Sequence, residues 1–198
     1  MTRLLVVRHA ESTWNAERRW QGRADPPLSE LGRRQAAAAG PAAAGEGVEA
    51  VWTSPLRRAR QTGEILAEAL AVPLATHGDL VERDAGPWTG LTRAEIEARW
   101  PGHLDEGRRP PGYEEDTSVV ARARAALEAV TAASKRGTVL VITHGGLIRA
   151  LERDLDVDGG VVPNLGGRVL CLAAGAFRPG PRLLLLDGSV PLTRPGML

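Results

Sequence analysis

Two of the four histidines stand where an open sheet does its chemistry. His9 follows the apolar run Leu4–Val7 directly behind Arg8, and His144 follows Thr138–Thr143 directly ahead of Gly145 and Gly146. Both runs read as buried strands, and open α/β sheets hold their ligands at the carboxyl ends of strands. A single histidine in such a place is more often structural. Two at equivalent ends, one beside an arginine and one beside a glycine pair, point to a site. The guanidinium fork suits phosphate or carboxylate, so the chemistry to expect is work on an anion. The other two histidines, His77 and His103, sit in polar loop contexts and are set aside.

The elements that must position these residues alternate. Arg3–Val7 reads as a first strand, and a loop rich in Trp, Asn, Gln, Gly and Pro carries the chain to Pro27. Ser29 then caps an alanine-dominated helix to Ala39. Ala50–Thr53 reads as a second strand and Leu56–Leu70 as a helix with apolar residues at helical spacing. Leu80–Glu82 is expected as a short strand end, and Thr92 with Glu95 as a capping box. A Gly-, Pro- and Arg-rich stretch, 102–111, reads as a mobile insertion over a site. Helix 117–133, strand 138–143, helix 147–155 and strands at 166–170 and 182–186 complete the series. Strand and helix in alternation imply a three-layer α/β/α fold with a mostly parallel central sheet. We expect one domain over 1–198, with a lid-like insertion around 83–116.

Composition narrows the setting. The chain has 198 residues, 43% hydrophobic and 25% charged, which fits an ordinary globular domain. Lys+Arg 25 against Asp+Glu 24 leaves a net charge of +1, so no global field draws it to nucleic acid or to an acidic membrane. Any cationic site is therefore local. Lys135 is the only lysine, a bias we read as codon usage. The single cysteine, Cys171, lies among apolar residues and is expected to be a buried strand residue. With no internal disulfide and no apolar run of about 20 residues, a cytoplasmic location is expected.

Arg8-His9-Ala10-Glu11-Ser12-Thr13-Trp14-Asn15 resembles the signature of the histidine phosphatase superfamily, phosphoglycerate mutase branch, usually written R-H-G-E-[ST]-x-x-N. Further blocks come in that family's order: Trp20–Arg23 with Asp25–Gln35, Thr53–Thr62 around Arg58, Leu80–Gly90 around Glu82, and Val141–Gly146 around His144. The resemblance runs from Arg3 to about Leu151. It implies a phosphomonoester hydrolase acting on a small phosphorylated metabolite, without metal or other cofactor. His9 would be the nucleophile and carry a phosphohistidine, its second ring nitrogen tied to an acceptor. Arg8 and Arg58 would grip the phosphoryl oxygens. His144, protonated, would add a third donor and Asn15 a neutral one. Glu82 would protonate the leaving oxygen and then activate water. Gln21 and Gly22 are expected at the substrate, and Trp14, Trp20 and Trp88 either line the mouth or pack. The implied partner is a small phosphate ester, and the resemblance suggests a homodimer.

The chain departs from the family pattern in three places. Ala10 replaces a glycine, tolerable at a negative φ. The lid reads Gly112-Tyr113-Glu114-Glu115-Asp116, with Arg122 at the family's later arginine position. Glu82 is followed by Arg83-Asp84-Ala85-Gly86-Pro87, without the lysine of the true mutases. Re-adding a phosphoryl group needs a closed, cation-rich pocket. Such a pocket is not expected here, which favours a phosphatase over a phosphoglycerate mutase or a non-catalytic phospholigand-binding protein. The contributions of Arg83, Arg108, Arg109, Tyr113 and Glu115 are left open.

Overall fold

Thr2–Arg8 is apolar on both sides and forms β1, whose alternate residues enter two cores, Leu5 and Val7 one, Leu4 and Val6 the other. A strand apolar in both registers requires a sheet covered on both faces. The computed structural model describes residues 2–134, 137–157, 159–173 and 175–192. After β1 come α1 (Thr13–Ala16), α2 (Glu30–Ala38), α3 (Gly40–Gly45), β2 (Val48–Thr53), α4 (Arg57–Leu70) and β3 (Leu74–Thr76). The chain continues through α5 (Arg93–Arg99), α6 (Asp116–Ala133), β4 (Gly137–Thr143), α7 (Gly145–Asp154), β5 (Gly166–Ala173) and β6 (Ala176–Leu184).

Local chemistry accounts for the helix starts. The Ser29 hydroxyl accepts from the Gly32 amide at 2.9 Å and opens α2. Thr92 and Glu95 form the expected capping box of α5. Each such cap satisfies amides that the first turn leaves without partners.

The sheet order is β3-β2-β4-β1-β5-β6. The pairs β3–β2, β2–β4 and β4–β1 are parallel, while β5 runs antiparallel to both β1 and β6. Helices α2 to α4 cover the Leu5 and Val7 face with Ala36, Ala39, Ala59 and Leu66. Helices α6 and α7 cover the other face with Val119, Leu127, Leu147 and Leu151. The three-layer, mostly parallel arrangement is thus present. A smaller cluster of Trp20, Ala85, Trp88 and Ile96, with Tyr113 against it, anchors the segment around 83–116.

Three expectations are corrected. Leu80–Glu82 is not a strand end: Gly78–Leu80 is a 3-10 turn, and the strand is the earlier β3. The last strand lies at Ala176–Leu184, not 182–186, and carries Pro179 and Pro181. An edge strand tolerates proline because one row of its amides has no ladder partner to lose. Cys171 is in β5 but only partly buried, since burial opens toward the end of that strand.

The register of the parallel strands aligns their carboxyl ends. Arg8 pairs with Thr143, and Thr53 with Ile142. The residues after these strands therefore leave the sheet side by side: the His9 amide donates to the Thr143 carbonyl at 2.9 Å and the Ser54 amide to the Ile142 carbonyl at 3.0 Å.

Candidate active site

His9 is held by both ring nitrogens. Nδ1 lies 2.6 Å from the Ala10 carbonyl and Nε2 lies 3.2 Å from the Arg58 Nε. A carbonyl can only accept, so the proton sits on Nδ1 and the Nε2 lone pair faces Arg58. Ala10 is not among the described non-glycine residues with positive φ and is fully buried, so its methyl is accommodated. The Ala10 amide donates to the Thr62 hydroxyl at 3.1 Å, which in turn donates to the Arg58 carbonyl at 2.7 Å. The Asn164 amide nitrogen donates to the His9 carbonyl at 2.7 Å. Thus β1, α4 and the segment before β5 together fix one imidazole.

The arginines are equally constrained. Arg58 is fully buried, with Nη1 donating to the Ala24 carbonyl at 2.6 Å and Nη2 to the Gly22 carbonyl at 2.9 Å. Gly22 has φ +49°, and a Cβ there would stand 2.8 Å from the Ala85 amide nitrogen. Its tight turn is what aims that carbonyl at Arg58. Arg8 donates from Nη1 to the Val162 carbonyl at 2.9 Å, while its buried Nε has no hydrogen-bond partner among the described residues. Burial brings both guanidiniums down to about 10; nearby Glu82 opposes this at both, Arg149 adds to the lowering at Arg8, and at Arg58 Asp25 opposes it while Arg8 adds to it. Both remain cations at neutral pH.

His144 faces His9 edge-on, with ring centroids 5.2 Å apart, and its Nε2 lies 2.8 Å from the Ser54 hydroxyl. Its buried Nδ1 has no hydrogen-bond partner among the described residues. Burial, then Arg58, His9 and Arg8, push it well below the ordinary histidine value, and burial, Arg58 and Arg8 do the same to His9. Burial first, and then the positive charge around it, disfavour the imidazolium expected at His144.

Glu82 follows the 3-10 turn Gly78–Leu80 and is gripped by three amides. Oε1 accepts from Arg83 at 2.8 Å and Leu147 at 3.1 Å, and Oε2 accepts from Gly146 at 3.0 Å. The carboxylate thus caps α7, at whose positive end an anion is favoured. An added Cβ on Gly146 would stand 2.5 Å from Glu82 Oε1, so the second glycine of the pair makes room for this residue. The loop carrying Glu82 is clasped by Arg122, whose Nη1 donates to the carbonyls of Asp79 and Val81 at 2.8 and 2.7 Å and whose Nη2 donates to that of Glu82 at 3.2 Å. Arg122 also takes Glu114 in a fork at 2.8 and 3.0 Å, and Glu114 accepts from the Asp84 amide at 2.9 Å. Burial disfavours the Glu114 carboxylate, but these bonds and the charge of Arg122 hold it down to about 2.

One cavity of about 370 Å³ is lined by Arg8, His9, Asn15, Gln21, Gly22, Arg58 and Glu82 among others. Asn15 and Gln21 line it with oxygens already engaged by the Ser12 amide and hydroxyl. His144 lies behind His9, fully buried. Trp20 lines the cavity and Trp88 is core. Of the lid residues left open, Arg83, Arg109, Tyr113 and Glu115 reach the cavity and Arg108 does not. Arg149 and Arg153 of α7 line it as well. The expectation that a cation-rich pocket is missing is thus corrected. Neither arginine was anticipated, although the i, i+4 spacing from Gly145 to Arg149 to Arg153 on one helix face would have shown it. Asn164 and Ser54 had no local signal, since only the tertiary fold brings them to the histidines.

A family model for the histidine phosphatase superfamily (branch 1) matches residues 4–160. The chain belongs to that superfamily. Among its relatives, the bifunctional protein Rv2228c of Mycobacterium tuberculosis is 41% identical over 183 residues, which is 89% of this chain and 50% of that protein. The chain thus spans about half the length of that relative. The uncharacterized phosphatase PhoE of Bacillus subtilis is 34% identical over 155 residues, 78% of each chain. The structure of mycobacterial glucosyl-3-phosphoglycerate phosphatase Rv2419c with VO3 superposes with a TM-score of 0.79 at 30% identity, covering 89% of this chain and 96% of that one. In this histidine phosphatase superfamily member, no helix among the described residues is long and apolar enough to cross a membrane.

Proposed function

We propose that the chain is a phosphomonoester hydrolase acting on a small phosphorylated metabolite through a phosphohistidine at His9. The observation that carries this reading is the ring of His9 itself: Nδ1–H is pinned to the Ala10 carbonyl, and Nε2 faces a cavity between two buried arginines. A neutral imidazole with a fixed tautomer is the form that attacks.

In this reading the phosphoryl group enters between Arg8 and Arg58, where fork-shaped donors match its oxygens. It displaces the Arg58 Nε–H from His9. Nε2 then forms a bond to phosphorus as the bond to the alcohol oxygen breaks, and Glu82, which enters this step as the carboxylic acid with one amide released, delivers its proton to that oxygen. Water next attacks phosphorus, Glu82 takes its proton, the P–N bond breaks and inorganic phosphate leaves. The buried Nε of Arg8 and Nδ1 of His144, which have no hydrogen-bond partner among the described residues, supply polar atoms for this charge. Stabilising charge as it develops is the main task in phosphoryl transfer.

The arginine-rich mouth favours one other reading, a mutase that returns the phosphoryl group to its product. The two separate in a single assay with a phosphoglycerate. Phosphate release outrunning isomer interconversion supports the hydrolase, and the reverse supports the mutase. With an aryl phosphate, His9→Ala is expected to lower turnover by roughly three orders of magnitude or more; undiminished turnover defeats both.

A further inference from the structure

We infer that Arg182, on the edge strand β6, is a positioning residue for the phosphoryl grip: together with Glu152 it holds the segment 159–163 so that the Val162 carbonyl aims Arg8 into the cavity. This goes beyond the hydrolase reading and rests on it.

Glu152 is only 3% exposed, a carboxylate within α7 that plays no part in the chemistry above. Its Oε1 accepts from Arg168 Nε at 2.8 Å and Arg182 Nε at 3.1 Å, and its Oε2 accepts from Arg182 Nη2 at 2.7 Å. Arg168 and Arg182 are register partners on β5 and β6. Like charges directly opposed across two strands repel, so the carboxylate between them is what lets them share a face. Packing alone does not ask for such a cluster, since well-packed apolar residues in place of buried ions are often as stable. The remaining donors of Arg182 hold backbone instead.

Arg182 donates from Nη1 to the Val161 carbonyl at 3.1 Å and from Nη2 to the Gly160 carbonyl at 3.4 Å. Gly159 lies against the cluster, where a Cβ would stand 1.7 Å from Glu152 Oε2. Residues 159–163 that are described form neither helix nor strand, so no ladder orients their peptide planes. The Val162 side chain is buried in the core under α6 and α7, which fixes where the residue lies but not where its carbonyl points. Arg182 orients the two peptides ahead of it, and Pro163 restricts Val162 to extended backbone. That carbonyl then accepts from Arg8 Nη1 at 2.9 Å.

The same stretch runs on to the nucleophile. Asn164 donates to the His9 carbonyl at 2.7 Å, and Leu165 donates its amide to the Arg8 carbonyl at 3.0 Å. Leu165 does so at φ +57°. Left-handed backbone at a leucine is strained and persists where the surroundings over-determine it. The segment is thus tied to Arg8 and His9 at one end and to Arg182 at the other.

The test uses the full chain, with inorganic phosphate as the probe of the grip. Arg182→Met is expected to weaken the calorimetric Kd for phosphate about tenfold. It should lower kcat/KM for nitrophenyl phosphate and for an alkyl phosphate by the same factor, because the transferred group is common to both. Arg182→Lys keeps a charge beside Glu152 but not the fork that also reaches the loop. It is expected to retain its Tm and show the same losses, and it reports even if the methionine variant fails to fold. In an Arg8→Lys background, adding Arg182→Lys should change either constant by less than about twofold, since the two residues act in series. Unchanged phosphate binding in the Arg182 variants, a lysine variant restored to parent values, or a loss kept in full in the Arg8→Lys background overturns the inference. If the parent chain binds phosphate but hydrolyses neither ester, the hydrolase reading falls, and the phosphate constants alone decide the role of Arg182. No phosphate binding by the parent overturns both.

Discussion

The Nε of Arg58 stands 3.2 Å from the Nε2 of His9, so the proposed nucleophile is hydrogen-bonded to the cation proposed to receive its substrate. Arg58 makes its other bonds to the carbonyls of Gly22 and Ala24. A lysine cannot reproduce this fork. We expect Arg58→Lys to lower kcat/KM for any phosphate ester by about a hundredfold or more, since several charge-assisted bonds are lost together. Steady-state assays at saturating and limiting substrate check this.

Gly146→Ala separates chemistry from folding. The new methyl meets the end of a flexible side chain, Glu82, and not backbone, and alanine suits a helix better than glycine by up to ~1 kcal/mol. We expect an unchanged or slightly raised Tm with a kcat lowered by roughly 10–100-fold. The loss should be larger for alkyl phosphates, whose leaving oxygen needs a proton, than for nitrophenyl phosphate. Equal losses on both would contradict the acid role of Glu82.

This prediction also marks how far the sequence could be read. The residues that end strands were legible, because an apolar run breaking at Arg8-His9 or at Thr143-His144 shows both the strand and its functional edge. Edge elements were not. β3 is three residues long and gives no alternation, and Pro179 and Pro181 hide β6 from a pattern based on paired strands. At the site, His9, Arg8, Arg58 and Glu82 come together in one cavity with His144 behind them. Their supports, Asn164, Ser54 and the Arg122–Glu114 clasp, depend on contacts between distant segments that no local pattern encodes.

Arg122 and Glu114 position Glu82 without lining the cavity. Arg122→Met removes the fork from Glu114, leaving it the Asp84 amide, the Ser118 hydroxyl and Arg23 at 3.4 Å, and is expected to cost about 1–3 kcal/mol, visible as a lower Tm. Adding Glu114→Gln to it should recover part of that loss. Both variants should lower kcat more for alkyl than for aryl phosphates, because the loop carrying Glu82 loosens. Glu114 is held down to about 2 from an ordinary 4.5, so its stabilising contribution is complete above pH 4.5 and fades as pH falls toward 2.

The two histidines make the fold acid-sensitive at a higher pH. Each is pushed well below 6.5 in the folded chain, by burial first, so below 6.5 the unfolded chain binds protons that the folded one refuses. Stability is then complete above pH 6.5 and falls with decreasing pH, by up to ~1.4 kcal/mol per pH unit for each histidine. Thermal melts between pH 8 and 5 should show this slope, and His144→Gln should flatten it. A slope unchanged in that variant would contradict a disfavoured imidazolium at His144.

Rapid quenching of the full chain during turnover of a 32P-labelled phosphate ester tests the account most directly. Acid-labile, alkali-stable label recovered on the peptide containing His9, formed and lost fast enough to match kcat and missing in His9→Ala, is the predicted result. Turnover with no label on that peptide, or normal turnover by His9→Ala, would contradict it.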